Sequence, residues 1–206
     1  MRWASSIPSH STVFDSYWPL WAFIVLMVST PGPANLLIMT SGAQHGFWRS
    51  APFNMGLISG KLLLNFAMAL GLTTIVQQYP EMAKVFAVLS AAYMSWLAFR
   101  GWNAHLVHQQ RVHTLGFRDG LLVHPLSPKT WVMVVLAFSE FMPVNPTVAE
   151  RYLLIPLSFA LAQLVFHSAW CLAGTALRRA LGASKVLNRG LAVLTVAVVL
   201  WAVLLA

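Results

Sequence analysis

Acidic side chains are the scarcest feature of this chain: 206 residues carry 5 Asp and Glu against 13 Lys and Arg, and charged residues of either sign make up 9%. A soluble domain carries roughly 25% charged residues, so too few are present to coat a water-facing surface. Hydrophobic residues make up 58% and the mean hydropathy is +0.70, which places the chain in the membrane class. Cys171 is the only cysteine, excluding an intramolecular disulfide or a dithiol redox pair. Residues 1–16 contain no apolar stretch of about 7–15 residues, so no cleavable signal peptide is expected. No nucleophile–base pair or ligand cluster falls at a reachable spacing, and the chain does not read as an enzyme. The net charge of +8 is spread over short separate loops rather than along one face, which argues against nucleic acid and for membrane orientation.

A transmembrane helix takes about 20 mostly apolar residues. Six stretches qualify: 17–40, 53–76, 82–102, 118–142, 149–173 and 190–206. Residues 1–16 form an N-terminal tail, and 17–206 a single transmembrane domain in the lipid bilayer. Grouping the loops after spans one, three and five collects eight basic residues (Arg49, Arg100, Arg111, Arg118, Arg178, Arg179, Lys185, Arg189) with Asp119 as the one acid. The other side holds Arg2, Lys84 and Arg151 against Asp15, Glu81, Glu140 and Glu150. By the positive-inside rule the first group is cytoplasmic and both termini are periplasmic. Six spans divide into three plus three, repeat one at about 17–102 and repeat two at about 118–206. An odd number of crossings per half makes the two repeats inverted. The expected fold is therefore an all-α integral membrane protein in which the first helix of each repeat is broken by proline.

Those breaks are the main functional signal. Span one is interrupted by Thr30-Pro31-Gly32-Pro33, and span four by Pro125 and by Ser127-Pro128-Lys129. Proline removes an N–H and clashes with the preceding turn, and in lipid the freed backbone groups survive only in a protein interior or beside a wet cavity. Paired broken helices in corresponding positions point to the binding site of a secondary transporter. The half-helix that starts after Pro31, Gly32 and Pro33 presents N–H groups suited to a carboxylate, and Asn35 adds an amide there. The competing reading is a proline kink used only for packing. Lys129, beside Ser127 and Pro128, is read as the cation that meets a substrate carboxylate, since a mid-membrane lysine costs about 2.5–3.5 kcal/mol on insertion scales; otherwise it snorkels to the interface. Lys61 has the same two readings. His167, deep in span five, is the candidate proton carrier, with a packing role as its alternative. Gly56 and Gly60 form a small-xxx-small pair, and Trp18, Trp21, Tyr79, Trp102, Trp131 and Trp201 supply interfacial anchors. His105, His108, His113 and His124 lack a cysteine or carboxylate cluster to complete a metal site, so no metal is expected.

The run Thr30-Pro31-Gly32-Pro33-Ala34-Asn35-Leu36-Leu37, then Ser41-Gly42 with Gly46, then Gly56-x-x-x-Gly60, resembles the LysE/RhtB family of amino-acid exporters. Residues Ala91 to Arg100, Phe117 to Val123, Pro125 and Ser127-Pro128-Lys129 continue the likeness, which covers roughly residues 17–180. The resemblance implies proton-driven secondary export of amino acids or their derivatives across the bacterial inner membrane, with a small-molecule substrate and no cofactor. Three positions depart from the pattern. Ser127 stands where the family usually has asparagine, Lys61 where relatives often carry an acid, and His167 near a place where they often carry a polar or acidic residue. A lysine in place of an acid reverses the local field, which disfavours basic substrates and points to neutral or acidic ones. An ion or metal exporter, and a non-transporting subunit of a larger complex, are the alternative functions. A homodimer is compatible with so small a transporter.

Overall fold

Proline and glycine decide where the helices of this chain divide. The computed structural model describes residues 13–72, 78, 80–100, 114–143, 145–182 and 185–204, and among these the regular structure is helical throughout. Helix α1 (Val13–Ser29) ends at Thr30, and α2 (Pro33–His45) leaves at 53° to it. Pro33 takes the first position of α2, where its missing N–H has no intrahelical acceptor to lose. Gly46 alone links α2 to α3 (Phe47–Ala67); its φ of 81° is a left-handed conformation that favours glycine, and its N–H closes α2 on the Gly42 carbonyl at 2.9 Å. Met68–Leu72 continues α3 and kinks at Gly71, whose φ of 110° lies outside the helical region. After α4 (Pro80–Arg100) come α5 (Phe117–Leu126) and α6 (Pro128–Glu140), bent by 64° at Ser127. A π-helical turn, Glu150–Leu154, leads into α7 (Ile155–Leu181), and α8 (Lys185–Leu204) follows.

Both expected breaks are present, but Pro125 does not make one: it lies inside α5, and the chain turns only at Ser127. The Pro125 carbonyl, near the end of that helix, is taken by the Trp131 indole N–H at 2.7 Å. Helix α3 begins six residues before the expected span, because Gly46 needs no loop, and α7 runs past residue 173 through Arg178 and Arg179. By length and composition, Phe47–Leu72 and Glu150–Leu181 are each long and apolar enough to cross a membrane, and the two bent pairs raise the total among the described residues to four. Tyr79, Trp102, Arg111 and the histidines at 105, 108 and 113 lie outside the described residues.

Helix α7 shows which solvent the fold is built for. Its outer face carries Leu161, Val165 and Leu172, each more than half exposed, while Gln163 and His167 are 1% and 2% exposed. Polar groups inside and leucine outside is the reverse of a water-soluble helix and suits lipid.

Glycine seams bring the helices together. A β-carbon on Gly56 or Gly60 would lie 2.1 or 2.2 Å from the Phe117 or Leu121 carbonyl oxygen of α5, and one on Gly120 would lie 2.3 Å from the Phe53 oxygen. Contacts that advance four residues on each helix show that α3 and α5 run side by side in the same direction. Leu121 is four residues before Pro125, so its carbonyl has no helical N–H to accept from, and the bare face of Gly60 covers it. On the other side, Gly42 meets the Cys171 carbonyl and Gly174 the Met39 carbonyl, joining α2 to α7 in the same way. One half-helix at each break, α2 at the first and α5 at the second, is thus seated on a long helix from the other half of the chain. At that end of the bundle Arg178 donates to the Gln44 carbonyl at 2.8 Å, and Arg100 pairs with Asp119 at 2.9 Å. Asp119 also accepts the Gly116 N–H that starts α5. The apolar core splits around these seams, with Leu37, Phe53, Leu57 and Leu97 in one cluster and Leu20, Ile24, Ile155 and Phe159 in another.

Gly60→Ala is expected to destabilise the protein by about 1–3 kcal/mol through overpacking against backbone. Gly190→Ala, where a β-carbon would meet nothing within 4 Å, is the control. Thermal melting in detergent checks the pair: equal melting of Gly60→Ala and wild type would remove the seam from the account.

Candidate functional site

The two breaks face each other across one small cavity. At the first, the last carbonyls of α1 have no helical donors, as at any helix end. Asn35, in the first turn of α2 and 5% exposed, turns its amide back: Nδ2 donates to the Val28 oxygen and to the Thr30 oxygen, both at 2.8 Å. At the second, the Ser127 N–H donates to the His124 carbonyl at 3.0 Å, and the Ser127 carbonyl accepts from the backbone of Thr130 and Trp131. Pro128 then opens α6 at a position where no N–H is missed.

Lys129 joins them. Its ammonium donates to Thr30 Oγ1 at 2.8 Å, with the Thr30 carbonyl oxygen at 3.4 Å, across 99 residues of sequence. The stem of Lys129 lies along Gly32, where a β-carbon would sit 3.2 Å from Nζ. Lys129 therefore points into the protein and spans the gap between the breaks; it does not snorkel away. Gly32, Pro33, Asn35, Ser127, Lys129 and His167 all line the cavity. Pro31 is exposed and Pro128 half-buried, and neither lines it; their part is to shape the turns.

The inner wall holds residues that the sequence did not single out for binding. His124 contacts Thr130 Oγ1 through Nδ1 and Gln163 Nε2 through Nε2, each at 3.0 Å. With the Gln163 amide nitrogen donating, the imidazole proton sits on Nδ1 and goes to Thr130. His167 stacks on His124 with ring centroids 5.6 Å apart and planes 6° from parallel. His124 was grouped by sequence with the loop histidines as a weak metal set; the fold pairs it with His167. Among the described residues no three His, Cys, Asp or Glu could hold a metal ion together. The signal that could have found His124 is its position one residue before Pro125, on the inward side of the second break.

Lys61 is placed differently from the expectation that it meets the substrate directly. It is 0% exposed, sits 4.1 Å from the centroid of the Phe159 ring, and does not line the cavity. Nζ has no hydrogen-bond partner among the described residues, nor do both amide atoms of Asn65 one turn later, Oε1 of Gln163, or Nδ1 of His167. The ring face gives Lys61 some compensation. The cavity wall itself contains no Asp or Glu, two lysines lie in or behind it, and its volume of about 30 Å³ leaves room for a water molecule or two.

Because Lys61 is buried without a polar partner, Lys61→Met is expected to leave the protein as stable or to stabilise it by about 1–3 kcal/mol. A melting temperature several degrees below wild type would show that the amine has a partner in the folded protein.

A comparison with protein families matches residues 24–206 to the LysE type translocator model. Among curated proteins the chain is similar to a homoserine/homoserine lactone efflux protein of Salmonella typhi, 27% identical over 65% of this chain and 71% of that protein. It is likewise similar to a leucine efflux protein of Enterobacter sp. (strain 638), 23% identical over 82% and 85% of the two chains. A cysteine/O-acetylserine efflux protein of Klebsiella pneumoniae is 28% identical over 76% and 81%. No solved structure matches the chain. The family match spans both proline breaks, Lys129 and the histidine wall, and the chain belongs to the LysE type translocator family.

Proposed function

We propose that this protein is a secondary exporter of amino acids or amino-acid derivatives across the bacterial inner membrane, driven by the proton gradient. The observation that carries the reading is the convergence of two broken helices on one cavity, with Lys129 of the second reaching Thr30 of the first. That is the geometry in which half-helix ends and a half-buried cation can recognise a zwitterion. The efflux proteins named above act on homoserine and its lactone, leucine, and cysteine or O-acetylserine. Each is, or derives from, a small neutral amino acid.

In this reading the substrate enters from the end of the bundle that carries Arg49, Arg100, Arg118 and Arg178, which faces the cytoplasm, with both termini periplasmic. The chain forms six spans as two inverted three-helix repeats, a view supported by the matching breaks at Thr30–Gly32 and Ser127. The substrate carboxylate meets the first turn of α2 (Gly32, Pro33, Asn35) and Lys129, while Pro31, Ser127 and Pro128 shape the turns. Lys61 stays behind the wall. With Lys129 and no carboxylate around the cavity, a neutral or acidic substrate is favoured over a basic one. His167, with an unpartnered Nδ1 on the wall, carries the coupling proton. Rocking of the two halves about the cavity then exposes the site on the other side.

Proteoliposomes holding the purified protein test this with radiolabelled leucine, homoserine and cysteine, with and without a pH gradient. Gradient-dependent uptake is expected, at least tenfold lower in Lys129→Ala at equal folded protein. His167→Asn is expected to retain exchange of internal for external substrate while losing gradient-driven accumulation. Uptake indifferent to the gradient would remove the proton coupling, and no uptake of any amino acid by folded protein would remove the function.

A further inference from the structure

Lys129 is a primary ammonium on a flexible stem, and where it rests shows what the first break is built to hold. The Thr30 hydroxyl donates to the Met27 carbonyl at 2.9 Å. Its lone pairs are left facing Lys129, which approaches to 2.8 Å, with the Thr30 carbonyl oxygen at 3.4 Å. Both oxygens stand at the C-terminal end of α1, where the half-helix carries about half a negative charge. Asn35 fixes the carbonyl by donating to the same oxygen at 2.8 Å. Two aligned oxygens, the negative end of a helix and a bound R–NH₃⁺ together make an ammonium site. In the structure described here its occupant is the protein's own side chain.

An amino acid brings the same group. The cavity beside Lys129 is about 30 Å³, too small for a substrate while Lys129 spans it. Once Lys129 leaves Thr30, the space between the breaks opens and a free ammonium remains next to the first turn of α2. Gln163 Oε1 and His167 Nδ1, both buried, lining this cavity and without partners among the described residues, are further polar groups for the incoming molecule. We propose that the carbonyl and hydroxyl oxygens of Thr30 form the subsite for the substrate α-ammonium group, and that substrate binds by displacing Lys129 from it. The displaced Lys129 then pairs with the substrate carboxylate, so one movement opens the clasp and completes the site. This rests on the reading of the protein as an amino-acid carrier and adds a residue, Thr30, and an order of events to it.

The test compares each amino acid with its 2-hydroxy acid, in which a hydroxyl replaces the ammonium. Leucine, homoserine and their 2-hydroxy counterparts are titrated as uptake substrates in proteoliposomes of the full-length protein, for wild type, Thr30→Val, Thr30→Ala and Thr30→Ser. Thr30 is exposed, so these variants are expected to fold, and their melting temperatures check it. Wild type is expected to half-saturate with the amino acid at a concentration about tenfold below that for the hydroxy acid. Thr30→Val and Thr30→Ala weaken the Lys129 clasp and the substrate ammonium contact alike, so they leave the amino-acid value within about twofold and lower the hydroxy-acid value about tenfold, collapsing the preference. Thr30→Ser, which keeps the hydroxyl, restores it. Folded Thr30→Val or Thr30→Ala that keeps the wild-type preference overturns the subsite, as does a wild type that does not distinguish the two compounds. Failure of wild type to take up either compound overturns the transport reading itself, and the subsite with it.

Discussion

The constraint on which this molecule depends is that a helix broken inside a membrane must find protein partners for the backbone groups it frees. Water cannot supply them, and an unpaired carbonyl or N–H in hydrocarbon costs several kcal/mol. The two breaks solve this differently. At the first, a single amide, Asn35, serves two carbonyls of α1. At the second, Pro125 and Pro128 remove two N–H groups, the Trp131 indole takes the Pro125 carbonyl, and the glycine face of α3 shelters the Leu121 carbonyl. Lys129 then arrives from the other half of the chain at the Thr30 hydroxyl, the oxygen there that Asn35 does not reach. The cavity lies where the two repaired breaks meet.

The close seams make that meeting accurate. A lysine side chain is long and flexible, so a clasp across 99 residues of sequence requires the backbones on either side to be fixed. The contacts of Gly42 and Gly174 hold α2 against α7, and those of Gly56, Gly60 and Gly120 hold α5 against α3, in each case with no side chain between the backbones. One half-helix at each break is thereby referred to a long helix, and the histidine wall on α5 and α7 is set by the same two seams. Leucine-to-leucine packing has less to offer here, since lipid tails solvate leucine as well as protein does.

Much of this was legible in the residues, because proline acts locally. Thr30-Pro31-Gly32-Pro33 and Ser127-Pro128-Lys129 announce their turns whatever surrounds them, and a lysine ten residues into an apolar run announces that it is paired. Pro125 misled, because a proline near the end of a helix loses little when an indole can take the exposed carbonyl. Lys61 looked equivalent to Lys129 by sequence, yet it sits behind the wall against Phe159: depth along a span can be counted, whereas the face a side chain turns to depends on which helix packs there. For the same reason Gln163 went unnoticed and His124 was grouped with the loop histidines. Gln163 and His124 become a wall only because α5 and α7 are brought to one cavity by glycines whose partners lie far away in the chain.

An internal cation at the substrate's place also bears on how tightly such a carrier can hold its cargo. A site left bare when empty would reward the first ammonium to enter with the full worth of its hydrogen bonds, and the substrate would then be slow to leave. With Lys129 already on Thr30, binding exchanges one ammonium for another at that position, and the net gain comes from the carboxylate and side-chain contacts. A transporter must release what it binds, so only energy that differs between its states is useful to it. Self-occupation lowers affinity without lowering selectivity, because a molecule lacking the ammonium cannot repay the loss of the Lys129–Thr30 contact. It also keeps the break satisfied in the empty carrier, which has to rock back between its two states for each molecule carried.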